Sequence, residues 1–128
     1  MRRAAKVIIL GDGAPWIWGI AEEHFPGAIQ IVDLYHAREH LVSLAKIAYE
    51  VDSVRWKQWL AARVEQLDGG EIESLVISRR RLRSQDGTVR DPTDKAIDYF
   101  QTNRQRMRYA DFRRQGLFVW IGRYRSRL

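Results

Sequence analysis

The sequence predicts an α/β chain in which a short parallel βαβ unit precedes a mainly helical region. Two apolar runs of strand length, a helical pattern between them and the end of strand signals after residue 33 carry that prediction. The first run, Lys6-Val-Ile-Ile-Leu10, is rich in β-branched residues and closes on Gly11-Asp12-Gly13, so it reads as a buried strand ending in a turn. Pro15 stands where a first helical turn tolerates a missing N–H, and Trp16, Ile17, Ile20 and Ala21 follow at helical spacing. Pro26-Gly27 stops that helix, and Ala28-Ile-Gln-Ile-Val32 forms the second strand, closed by Asp33. Strand, helix and strand within about thirty residues make a βαβ unit, whose strands run parallel. Asp12 and Asp33 are then expected at the carboxyl ends of parallel strands, the edge where open α/β sheets place their ligands.

Helices account for most of the rest. Leu41, Leu44, Ala45 and Ala48 fit one helix, and Trp56, Trp59, Leu60, Val64 and Leu67 fit another that Gly69-Gly70 breaks. A third is expected from Glu71 to Leu82, with Ile72, Leu75 and Val76 inward. Residues 84–88 read as a loop and Asp91-Pro92-Thr93 as a helix start. A last long helix is expected to carry Ala96, Tyr99, Phe100, Asn103, Met107 and Tyr109. Trp16, Trp18, Trp56 and Trp59 are expected to pack in the core or between helices rather than to stack on bases.

Composition narrows the function classes. The 128 residues, 45% hydrophobic and 30% charged, suit one folded domain or a piece of a larger protein. No apolar run approaches a bilayer span and no secretory signal is visible, so a cytoplasmic, non-membrane protein is expected. With no cysteine there is no disulfide, thiolate metal site or cysteine nucleophile. Net charge is uneven, −3 over residues 1–78 and +9 over residues 79–128. A polyanionic partner, most simply DNA, fits the second half. Arg79, Arg80, Arg81 and Arg83 form one candidate nucleic-acid face; Arg104, Arg106, Arg108, Arg113 and Arg114, interleaved with aromatics, form the other. The same arginines also suit a solvated helix surface.

Asp12 is the strongest candidate for chemistry. A carboxylate between two glycines, directly after a buried strand, is exposed on a freely turning backbone, as magnesium sites require. The alternative is a turn aspartate bonding its own backbone. His36 and His40, i and i+4 on one helix face, have zinc-binding spacing, but His-Ala-Arg-Glu-His is not the zinc-protease order and no third ligand is evident. Helix-start histidines bonding backbone or Glu39 are the simpler reading.

The string Val7-Ile-Ile-Leu-Gly-Asp-Gly-Ala-Pro-Trp-Ile-Trp18, followed by His24-Phe-Pro-Gly-Ala-Ile-Gln-Ile-Val-Asp-Leu-Tyr-His-Ala-Arg-Glu-His-Leu41, resembles bacterial insertion-sequence transposases of the ISKra type, relatives of the Mutator-like DDE enzymes. The likeness continues more loosely through residues 103–117. It implies a partial ribonuclease-H-like core over residues 1–34 and a helical insertion, basic in its second half, over residues 35–117. It also implies DNA strand cleavage and joining by carboxylates that hold Mg2+ or Mn2+. On this resemblance Asp12 is the second catalytic aspartate and a metal ligand, with Asp33 and His36 as supporting residues. The implied partners are DNA at transposon ends and further transposase copies, in a nucleoid-associated setting.

Two departures shape the expectation. No residue before Asp12 matches the family's first aspartate, and the Gly-Ser-Gly-x-x-Glu type segment after Gly116-Leu117 is absent as written. Trp120 is encoded by TGG and Ile121 begins with AT, so a frame one base later opens on glycine. Permitted codons for the remaining residues then allow Gly-Ser-Gly-Val-Ile-Glu-Ala-Gly in that frame. Residues 118–128 are therefore expected to be a frameshifted tail. The resulting expectation is a transposase fragment, inactive alone, whose metal ions are not bound productively. A stand-alone DNA-binding or transposition-regulating protein is the alternative, and a small metal-dependent hydrolase using Asp12, Asp33, His36 and His40 ranks third.

Overall fold

In the computed structural model, residues 7–80 and 92–120 are described. Strand β1 (Ile8–Gly11) leads through α1 (Pro15–His24) to β2 (Ile29–Val32). Helices α2 (Leu34–Ala48), α3 (Val54–Asp68), α4 (Ile72–Arg80) and α5 (Pro92–Thr102) follow, then a 3-10 turn (Arg104–Met107) and α6 (Tyr109–Arg114). The chain is thus α/β and mostly helical, with a two-stranded parallel sheet among the described residues. Ile8 pairs with Ile29 and Gly11 with Val32, as a βαβ crossover dictates. Among the described residues no helix is long and apolar enough to cross a membrane.

One core joins the sheet to the helices. Ile31 and Val32 of β2 are fully buried with Leu41 and Leu44 of α2, Leu67 of α3, Leu75 of α4, Phe100 of α5 and Tyr109 of α6. Burial of each such side chain stabilises the fold by roughly 1.5–3 kcal/mol. Polar ties fix how the helices sit. The Arg38 guanidinium donates to both Asp68 carboxylate oxygens, Nε at 3.1 Å, joining α2 to α3. Arg108, just before α6, grips Glu73 of α4 the same way at 2.8 and 2.6 Å and holds its carboxyl down at about 2.

Several helix ends follow their sequence. Pro15 opens α1, Ser53 caps α3 by accepting from the Trp56 N–H at 3.1 Å, and Asp33 caps α2. Gly70 turns the chain after α3 with φ +72, where an added Cβ would lie 3.1 Å from the Tyr109 nitrogen.

Three expectations need correction. The long last helix is broken into α5, the 3-10 turn and α6. Asn103, buried at 4% exposure, turns its side chain back to the Tyr99 carbonyl at 2.9 Å, while its own carbonyl accepts from the Arg106 N–H in a 3-10 pattern. The third helix begins at Ile72 rather than Glu71 and is described to Arg80; Leu82, the loop at 84–88 and Asp91 lie outside the described residues. Trp16 is 67% exposed rather than packed, whereas Trp18 and Trp59 are buried.

Candidate functional site

The carboxyl edge of the sheet is built by hydrogen bonds from distant elements. Gly11 at the end of β1 accepts from the Asp33 N–H at 2.7 Å, so the two expected acids enter on adjacent strand ends. Beyond it, the Asp12 carbonyl accepts from the Tyr99 hydroxyl of α5 at 3.1 Å. At the end of β2 the Val32 carbonyl accepts from the buried Tyr109 hydroxyl of α6 at 2.7 Å. Two tyrosines ten residues apart therefore satisfy the carbonyls where the strands run out. The Leu34 N–H, one residue past Asp33, donates to the Val119 carbonyl at 2.8 Å, and Trp120 meets Tyr35 edge-on at 5.1 Å. The segment after α6 thus returns to this same edge.

Asp12 occupies a fixed, exposed turn. Its Oδ1 accepts from the Ala14 N–H at 2.9 Å, the self-bonding expected of an Asx turn. Gly13 adopts φ +98, and a Cβ there would lie 2.7 Å from Cε1 of Tyr99. The ring of Tyr99 is stacked on His40 at 3.6 Å with an interplanar angle of 13°. Burial, then the fields of Asp12, Asp33 and Glu39, push the Tyr99 hydroxyl well above its ordinary range, so it stays a donor. Burial and His36 lower His40, and Glu39 and Asp12 oppose that shift.

Asp33 and His36 act differently from Asp12. Asp33 is buried at 3% exposure, and its Oδ1 accepts from the N–H groups of Tyr35 at 2.8 Å and His36 at 3.4 Å. It serves the amino terminus of α2, where an anion also meets the helix dipole. The Nδ1 of His36 lies 3.2 Å from Glu39 Oε1 on the same helix. Among the described residues no group of three or more His, Asp or Glu is arranged to hold a metal.

The basic residues divide by partner. Arg108 is bound to Glu73 and to the Gly70 carbonyl, Arg113 donates to the Asp68 carbonyl at 2.7 Å, and Arg114 pairs with Asp111. Arg106 lies over Trp18, and exposed Arg104 donates to the Gln101 carbonyl. Arg79 and Arg80 end α4, but their side chains, with Arg81 and Arg83, lie outside the described residues. Tyr99 is the site residue that sequence reasoning missed: it reads as an ordinary inward helical position, 87 residues from the turn it holds. The left-handed demand of a Gly-Asp-Gly turn was the available signal that a neighbour would crowd it.

No protein-family model, no curated protein and no solved structure matches this chain.

Proposed function

We propose that these residues are a fragment of a DDE transposase of the ISKra type, carrying part of a ribonuclease-H-like core, and that the fragment binds DNA without cutting it. The observation that supports this reading most is the Asp12 turn. Its carboxylate is exposed at the carboxyl end of a parallel strand, on a backbone locked by Gly13 and Tyr99. The ordered resemblance over residues 7–41 names Asp12 as the family's second aspartate. The return of Val119 to that edge is the geometry by which a following segment would reach Asp12. With no further acid grouped beside it among the described residues, the Asp12 carboxylate is expected to bind Mg2+ or Mn2+ weakly and to position no second ion, so no autonomous strand transfer is expected.

The test is incubation of the chain with supercoiled and end-labelled duplex DNA in Mg2+ or Mn2+. The expected result is DNA retention that weakens steeply with salt, with no nicking or joining. Nicking abolished by Asp12→Asn would contradict the inactive reading and favour a metal-dependent hydrolase. No retention at low salt would contradict DNA binding.

A further inference from the structure

A cleft at the amino end of β2, away from Asp12, has a polarity that the Asp12 edge does not explain. It is an open depression of about 410 Å3, lined by Glu22 of α1, Ile29 and Gln30 of β2, Arg104 and Arg106 of the 3-10 turn, and Phe112 of α6, among others. That volume lies within the range of small-ligand pockets, about 300–1,000 Å3. Its polar groups form a row of fixed direction. Arg106 Nε donates to Gln30 Oε1 at 2.8 Å, and Gln30 Nε2 donates to Glu22 Oε1 at 2.7 Å. One end of the row is a cation and the other an acceptor.

Arg106 is held as a rigid donor. Its Nη1 donates to Asn103 Oδ1 at 2.9 Å and its guanidinium lies 4.5 Å over the Trp18 ring; among the described residues Nη2 makes no hydrogen bond. Among the described residues neither Arg106 nor Arg104 forms an ion pair, whereas Arg38, Arg108 and Arg114 each do. Burial lowers Arg106 from its ordinary value, and Glu22 at the far end of the row opposes that shift. Ile29 and Phe112 supply an apolar wall beside the charges.

A ligand with a compact anion at one end, a flat apolar body and amine donors at the other matches this order. We propose that the cleft binds one nucleotide of a single DNA strand, with its phosphate at Arg104 and Arg106 and the amino edge of its base toward Glu22. The proposal rests on the DNA-binding reading above and names the surface that does the binding. A carboxylate acceptor favours bases with an exocyclic amine, cytosine, adenine and guanine, over thymine, which has none. Packing beside aliphatic Ile29 and the buried Phe112 does not distinguish one base from another, so the preference arises at Glu22.

The test is fluorescence anisotropy with labelled oligo-dC and oligo-dT of about fifteen nucleotides at low salt, with circular dichroism on every variant. Oligo-dC is expected to bind roughly fivefold or more tighter than oligo-dT, and Glu22→Gln to flatten that preference. Arg104→Glu is expected to weaken oligo-dC binding by about tenfold or more. Arg114→Glu, the same charge change outside the cleft, should weaken it by less than about threefold. Equal weakening by the two arginine variants, or no preference between the strands, overturns the cleft assignment and leaves DNA binding standing. Absence of binding to either strand and to duplex DNA overturns both.

Discussion

Tyr99 and Tyr109 each bond a strand-end carbonyl, and their substitutions separate two kinds of cost. In Tyr109→Phe the Val32 carbonyl is left buried without its donor, so a loss of about 1–3 kcal/mol is expected in urea unfolding. Gly13→Ala puts a Cβ against the Tyr99 ring at a left-handed φ, and about 1–3 kcal/mol is expected from strain there. A change below about 0.5 kcal/mol in either variant would contradict these roles. His40 adds a pH dependence. Its protonation is disfavoured in the fold by burial and His36, against Glu39 on its own helix and Asp12 across from it, with Tyr99 stacked on one face. The stability tied to its neutral form is therefore present above the ordinary histidine range near pH 6.5 and lost as pH falls through the lowered value. Thermal melts at about pH 7 and pH 5 should show a smaller acid loss in His40→Phe, which keeps an aromatic face on Tyr99. An unchanged acid loss would remove His40 from the account. At this scale the sequence was half legible. Asp12 announces itself through its glycines, while Tyr99 carries no local sign of the turn it clamps.

The elements show why the βαβ unit was readable and the end of the helical region was not. Apolar runs, Pro15 and the Gly-Asp-Gly turn all act within a few residues, so β1, α1 and β2 fall where their pattern puts them. Asn103 sits at an inward helical position and reads as a continuation. Its effect depends on burial, which lets its amide compete for the Tyr99 carbonyl and start the 3-10 turn. Asp33 shows a second limit. A strand-ending acid and a helix-capping acid look identical in sequence, and the difference lies in where the oxygen points. Asp33→Ala should cost about 1–2 kcal/mol through the lost cap, and Asp33→Ser should recover much of it. A Ser variant no better than the Ala variant would argue against a capping role. The arginines make the same point, since the ion pair of Arg108 with Glu73 is formed across 35 residues and is invisible to any window.

For the whole molecule, the sheet is the weak element. Two four-residue strands are marginal by themselves, and β1 is only partly buried along its length. Val7, Trp16, Ile20 and Phe25 leave apolar surface in the same half of the chain. Self-association that rises with concentration is the expected behaviour, and light scattering across a dilution series checks it. The positive balance of residues 79–128 belongs to this scale too, because it acts through long-range attraction and fades with salt. We propose descent from a transposase whose reading frame was broken near Val119 and Trp120. The nucleotide sequence of the locus, from several hundred bases before Met1 to beyond Leu128, checks this descent. An upstream strand ending in an aspartate and a Gly-Ser-Gly-x-x-Glu type segment in the frame one base later are expected. Flanks that encode neither would contradict it, and a stand-alone DNA-binding protein would then be the better reading.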